Sequence, residues 1–326
     1  MTSMRIFLSN ALLCLLLPAC GELPDPTHLL TTARVVGLVS SVEGAPSRTA
    51  PRPGETTNLR VLVVHSNTPI PNTYAFVVCR SIPSPLGVAT CTLDAPPVAV
   101  FSRTVLSFDS PDLSVQIPEN TTDDLLLVGA VCFGGQVRGD LTNMMGVGAE
   151  SLNPCEGEGE GQILTGTIIV HTSDAEENHI PVIQEIRFDS NLWAAGIPEE
   201  RTGCAGMGLP MVSIANIAPH TIEVIPAAGA REAFENPQTD PVSVAIENLP
   251  VAFYSTGRGL DKLYSVIDAE PDDTAPGATA IASAEYSPEA TENETDPDGH
   301  IVRFEIIMRD GRGGVSHEAR ALCLLP

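Results

Sequence analysis

Apolar and polar residues alternate along this chain in short runs. The first half carries "RVVGLVSS" (34–41), "NLRVLVVH" (58–65), "TYAFVVCR" (73–80), "DLSVQI" (112–117) and "DLLLVGAVCF" (124–133). The second continues with "HIPVIQEIRFD" (179–189), "HTIEVIP" (220–226), "LPVAFYST" (249–256) and "HIVRFEIIMRD" (300–310). In the last run Val302, Phe304 and Ile306 share one face while Arg303 and Glu305 take the other, the period of two of a half-buried strand. No segment shows a 3.6-residue apolar stripe longer than two turns. Strands at this spacing, punctuated by turn residues, predict an all-β protein built as sandwiches.

The pattern breaks most clearly at "SDAEENHIP" (173–181), an acidic stretch between two apolar runs, where Pro181 restricts Ile180 to extended geometry. This predicts two domains, at about 33–173 and 178–326, a division that 326 residues can supply with two cores. The run "EGEGEGQ" (156–162) reads as a loop inside the first domain. Composition agrees with strands and turns, because 28 prolines and 27 glycines serve turns and penalise helix interiors.

The start of the chain follows a different rule. Arg5 precedes the apolar stretch "IFLSNALLCLLLP", which ends at Ala19 and Cys20. Thirteen residues interrupted by Asn10 fall short of the roughly 20 needed to span a bilayer, so residues 1–19 read as a secretory signal peptide. The sequence "LPAC" (17–20) resembles the lipobox of bacterial lipoproteins. That resemblance implies that Cys20 becomes the lipid-bearing first residue and that the partner at this end is a membrane. Several acyl chains at about 0.8 kcal/mol per buried CH₂ anchor stably where one does not. Residues 20–32 then read as a tether, and Gly21 after the cysteine resembles lipoproteins of the outer membrane of the bacterial cell envelope.

Export changes the reading of the cysteines. With Cys14 in the signal and Cys20 lipidated, six remain: Cys79, Cys91, Cys132, Cys155, Cys204 and Cys323. An even number in an exported chain favours disulfides, and no Cys-x-x-Cys pair points to zinc. Six cysteines allow fifteen connectivities, of which pairing in sequence order is favoured here. In the chain-entropy picture, closing Cys79 to Cys91 contributes about 3 kcal/mol and closing Cys204 to Cys323 about 5.

Net charge is −24, with sixteen arginines and Lys262 as the one lysine. No segment is basic, which excludes a nucleic-acid partner. The C-terminal "DPDGHIVRFEIIMRDGRGGVSHEARALCL" (296–324) resembles the end of immunoglobulin-like domains of the PKD and cadherin-like kind, implying two such sandwiches. The chain departs from that family in its tryptophan: the sole one, Trp193, lies early in the second domain and is expected in its core.

Candidate chemistry is sparse. "ETDPDGHIVRFE" (294–305) sets Glu294, Asp296 and Asp298 at positions 1, 3 and 5 of a calcium-loop pattern, with Gly299 at 6 and Glu305 at 12. Against it stand Pro297, a Glu where Asp belongs, and a β-rich exit; a hairpin turn explains Pro-Asp-Gly without an ion. The seven histidines form no metal array, and neither a Gly-x-Ser-x-Gly elbow nor a phosphate loop occurs. Arg138 to Asp140 spells "RGD", which three letters produce by chance. The expectation is a non-catalytic envelope lipoprotein that binds or scaffolds an undefined protein or glycan partner without a cofactor; calcium-assisted adhesion through 294–305 is the alternative.

Overall fold

The computed structural model describes residues 26–66, 68–82, 90–92, 95–138, 154–157, 159–171, 177–196, 203–204, 206–216, 218–236, 243–267, 281–289 and 297–326. Among these residues there are twenty-one strands and no helix, hence no helix long and apolar enough to cross a membrane. The protein is all-β.

The first half contributes β1 (Arg34–Val42), β2 (Thr56–Val64), β3 (Asn72–Ile82), β4 (Thr90–Cys91), β5 (Ala99–Ser107), β6 (Asp112–Gln116), β7 (Leu125–Phe133), β8 (Gln136–Val137), β9 (Cys155–Glu156) and β10 (Glu160–Ile168). The second contributes β11 (Ile183–Phe188), β12 (Asn191–Leu192), β13 (Met211–Ser213), β14 (His220–Pro226), β15 (Ala233–Asn236), β16 (Ser243–Ile246), β17 (Leu249–Ser255), β18 (Tyr264–Ile267), β19 (Ala282–Tyr286), β20 (His300–Arg309) and β21 (Val315–Leu325).

In the first sandwich the sheet β1-β2-β6 packs on β10-β7-β3, with β5 and the short β4 on the far side of β3. In the second, β12-β11-β14-β19 packs on β13-β21-β20-β17-β18, with β13 running parallel to β21. Lettered in immunoglobulin fashion, both halves read A-B-E against G-F-C-C′, so the strand order itself makes both domains immunoglobulin-like. Among the described residues no sheet includes strands from both halves, whose only β-type links are the isolated bridges Leu29–Ser255 and Arg48–His179.

Alternation fills the two cores. In β2, Leu59 and Val61 turn inward to meet Phe76, Val115 and Leu127, while Asn58 and Arg60 turn outward. Strand β7 passes so close to β3 that a Cβ on Gly129 would collide with the Ala75 carbonyl and the Phe76 ring; only glycine fits. In the second core Trp193 is buried, packs its ring on Phe188 and Phe304, and donates from Nε1 to the Ala321 carbonyl at 2.8 Å. It is a core residue with its polar atom satisfied, although it enters from the segment directly after β12 rather than from strand C.

The disulfides pair in sequence order: Cys79–Cys91, Cys132–Cys155 and Cys204–Cys323. None is the cross-sheet pin of antibody domains. Each ties an interior strand to a short flanking strand (β4 or β9) or, at Cys204, to the segment before β13.

The two sandwiches meet along a buried seam. Val36, Leu62 and Val64 of the first lie against Ala252, Tyr254, Ile307 and Val315 of the second, with Leu30 inserted among them. Arg309 donates to the Val36 carbonyl at 2.6 Å. Leu30 N donates to the Ser255 carbonyl at 2.7 Å, and Ser255 N donates to the His28 carbonyl at 2.9 Å. The segment expected to act as tether up to residue 32 is therefore docked on the second sandwich from His28 onward.

The described part of the linker is equally held. Asn178 is buried, and its amide donates to Thr49 Oγ1 (2.9 Å) in one sandwich and to Asp310 Oδ2 (2.9 Å) in the other. Asp310 Oδ1 accepts the backbone N–H groups of Arg312 and Gly314, closing the turn between β20 and β21. Burial pushes the Asp310 carboxyl above its usual range, opposed by these donors.

Candidate functional site

Where the seam ends, the outer face of β1-β2-β6 opens into a cleft of about 1080 Å³, walled on the other side by Ile180, Val315 and His317. Its floor follows from strand alternation. Residues opposite the core side chains Leu59 and Leu113 are Asn58, Arg60, Asp112 and Ser114, and these point into the cleft. Arg60 faces Asp112 directly across β2 and β6 and grips it with two bonds, Nε to Oδ1 at 2.7 Å and Nη2 to Oδ2 at 3.3 Å. Both side chains stay more than half exposed, so the pair adds about 1 kcal/mol or less to stability and remains available to a ligand. Arg103 of β5 and Asp109 complete the charged lining. Two guanidiniums are thus matched by two carboxylates, in a chain whose net charge is −24.

The opposite wall holds one oriented acid–base pair. His317 Nε2 lies 2.7 Å from Glu305 Oε2, and Glu305 is only 6% exposed. Among the described residues no serine or cysteine nucleophile is bonded to this pair. His65, just after β2, has a pKa lowered first by burial; Arg303 lowers it further, while Glu305 and a bond to the Phe108 backbone oppose the shift. His28 is lowered for the same leading reason, with Asp261 opposing.

These shifts have a sign. A histidine kept neutral by the fold stabilises fully above the unfolded value near pH 6.5, and that contribution is lost as pH falls through the folded value. The melting temperature of wild type minus that of His65→Gln is therefore expected to shrink between about pH 7 and pH 5. Thermal melts of the two proteins over that range check it; a constant difference would contradict the burial of His65.

The residues singled out from sequence divide sharply. Glu294, Asp296 and Cys20 lie outside the described residues, as do Gly139 and Asp140, whereas Arg138 is exposed and donates from Nε to the Cys155 carbonyl. Asp298 is exposed at a turn, and its backbone carbonyl accepts from Cys204 N. Glu305 does not return to it. Residues 300–309 continue as β20, so five extended residues carry Glu305 about 17 Å beyond His300. The calcium-loop pattern is corrected on this point: its position 12 is a buried carboxylate spent on His317. Among the described residues, no group of three or more metal-ligating side chains occurs.

What the sequence did not reveal is the cleft. Its lining comes from β1, β2, β5, β6, the linker and β21, with Val39 and His317 standing 278 positions apart, and Arg60 and Asp112 resemble any outward pair on a half-buried strand.

No family model matches the chain, and no curated protein is similar to it. Among solved structures, the two tandem V-type regions of VCBP3, a v-region-containing chitin binding protein, are similar over 90% of this chain and 99% of that one. Identity is 9% and the TM-score 0.25, so the immunoglobulin-like assignment rests on the strand order described above.

Proposed function

We propose that this chain is a non-catalytic lipoprotein of the bacterial envelope, held in the outer membrane through acylated Cys20, whose interdomain cleft receives an uncharged polar segment of a protein or glycan partner. The observation that carries the reading is the charge balance of the cleft. An acidic surface repels anions at range, and a site whose own charges cancel selects neither cations nor anions. Asn58, Ser114 and the exposed Arg60–Asp112 pair offer donors and acceptors that suit hydroxyls and amides. The buried seam fixes the two walls relative to each other, so the partner meets a preformed site.

The test has two arms. Residues 21–326, which contain the whole described structure, are applied to glycan and peptide arrays, and the ligands found are titrated against Arg60→Ala. Loss of a hydrogen bond to a charged group is expected to weaken binding about tenfold or more. No array binding, or binding indifferent to Arg60, overturns the cleft. In cells, a fatty-acid probe is expected to label wild type and not Cys20→Ser; equal labelling refutes the anchor.

A further inference from the structure

We infer that β5 is a self-pairing edge, through which two copies of this chain join the β10-β7-β3-β5 layers of their first sandwiches into one continuous sheet across a two-fold axis at Ser102. Three observations lead there. Strand β5 pairs with β3 on one side and, among the described residues, with nothing on the other. This edge, regular against β3 from Ala99 to Arg103 and irregular between Arg103 and Ser107, presents unpaired backbone groups, which proteins ordinarily guard with lysine, proline, a bulge or a covering loop. Between 98 and 108 there is no lysine and no proline, and the one charge is Arg103, whose guanidinium lies over the Tyr74 ring. The strand and the turn after it instead expose large apolar side chains, Val105 at 75%, Val100 at 58% and Phe108 at 58%.

Charge identifies the occupant. Two copies at −24 repel each other over most of their surfaces, yet residues 95–108 contain no acid in a chain with 41. This band is where like-charged copies can approach, and a two-fold contact requires only that it complement itself.

Charge excludes the axis at the middle of the strand, and the register shift that follows Arg103 leaves Ser102 as the nearest axis on the regular side. An axis at Arg103 would set two guanidiniums face to face, a destabilising cross-strand pair. Moving it to Ser102 opposes Arg103 of one copy to Phe101 of the other, Val100 to Thr104, and Ala99 to Val105, so no like charges meet. A contact made by one strand edge is smaller than the about 1,600 Å² of a standard interface, which places the dimer in the weak, concentration-dependent class.

Sedimentation equilibrium of residues 21–326 tests this directly. A reversible dimer is expected that tightens as salt rises, because screening removes repulsion between the acidic bodies. The double variant Val100→Lys/Thr104→Lys is expected to be monomeric, while Leu192→Lys, equally exposed on the other sandwich, should leave the dimer intact. Register has its own readout. The described cysteines are all in disulfides, so Ser102→Cys introduces one new thiol. Directly opposed antiparallel residues sit about 4.5–5.5 Å apart at Cα, within disulfide reach. Ser102→Cys is expected to form a covalent dimer under mild oxidation, and Ser107→Cys is not. A chain that stays monomeric to millimolar concentration at high salt overturns the inference. So does a dimer that survives both lysines, or one that Ser107→Cys traps and Ser102→Cys does not.

Discussion

Replacing Ile307 by glutamate is expected to part the two sandwiches while leaving each folded. Ile307 is fully buried, but not in the core of its own domain: its neighbours Ile306 and Met308 point into that core, and Ile307 points out against Ala252, Tyr254 and the Val36–Leu62–Val64 face of the first sandwich. An unpaired carboxylate confined there would cost about 3–5 kcal/mol, a penalty relieved if the faces separate and admit water. The second core loses no side chain. Small-angle scattering of Ile307→Glu should therefore report a larger radius of gyration, and calorimetry should resolve two transitions. An unchanged radius with one lowered transition would mean that the seam is not the weaker element.

The second large effect is expected at Cys204 and Cys323. Their bond closes a span of 119 residues, against 12 for Cys79–Cys91, and it holds the segment leading to β13 beside β21, the strand that β13 pairs with. Since the entropy removed from the unfolded chain grows with loop length, the double change Cys204→Ala/Cys323→Ala should destabilise by about 5 kcal/mol, and Cys79→Ala/Cys91→Ala by about 3. For a domain of this size each kcal/mol moves Tm by about 2–4 °C, which separates the two variants by several degrees. Equal losses in thermal melts would show that loop length does not govern these staples.

Much of the architecture was legible from alternation alone. Val302, Phe304 and Ile306 do line the second core, and the turn at Asp310–Gly311 does reverse the chain between β20 and β21. The cysteines pair in order because each lies on or beside the strand that its partner's segment must join. One failure is local: "EGEGEGQ" (156–162), expected as a loop, gives Glu160, Gly161 and Gln162 to β10, where they pair with β7. The others share a cause. Glu305, expected on a wet face, is buried because a second sandwich covers that face. A hint was present in "EIIM" (305–308), where three consecutive apolar residues break the period of two and so require burial on both sides. Periodicity reports that a face is covered, not what covers it. The cleft depends on that missing fact, as does the double engagement of Asn178, whose partners lie 129 and 132 residues away.

The docking of His28 and Leu30 on Ser255 fixes a length. Counted from Cys20, eight residues precede His28, and a fully stretched peptide advances at most about 3.6 Å per residue, giving a leash under about 30 Å. That is roughly the depth of one hydrocarbon core. On the acylation of Cys20 proposed above, so short a leash would hold the base of the body against the lipid, and its partners would be sought first among molecules embedded in, or lying on, that same leaflet.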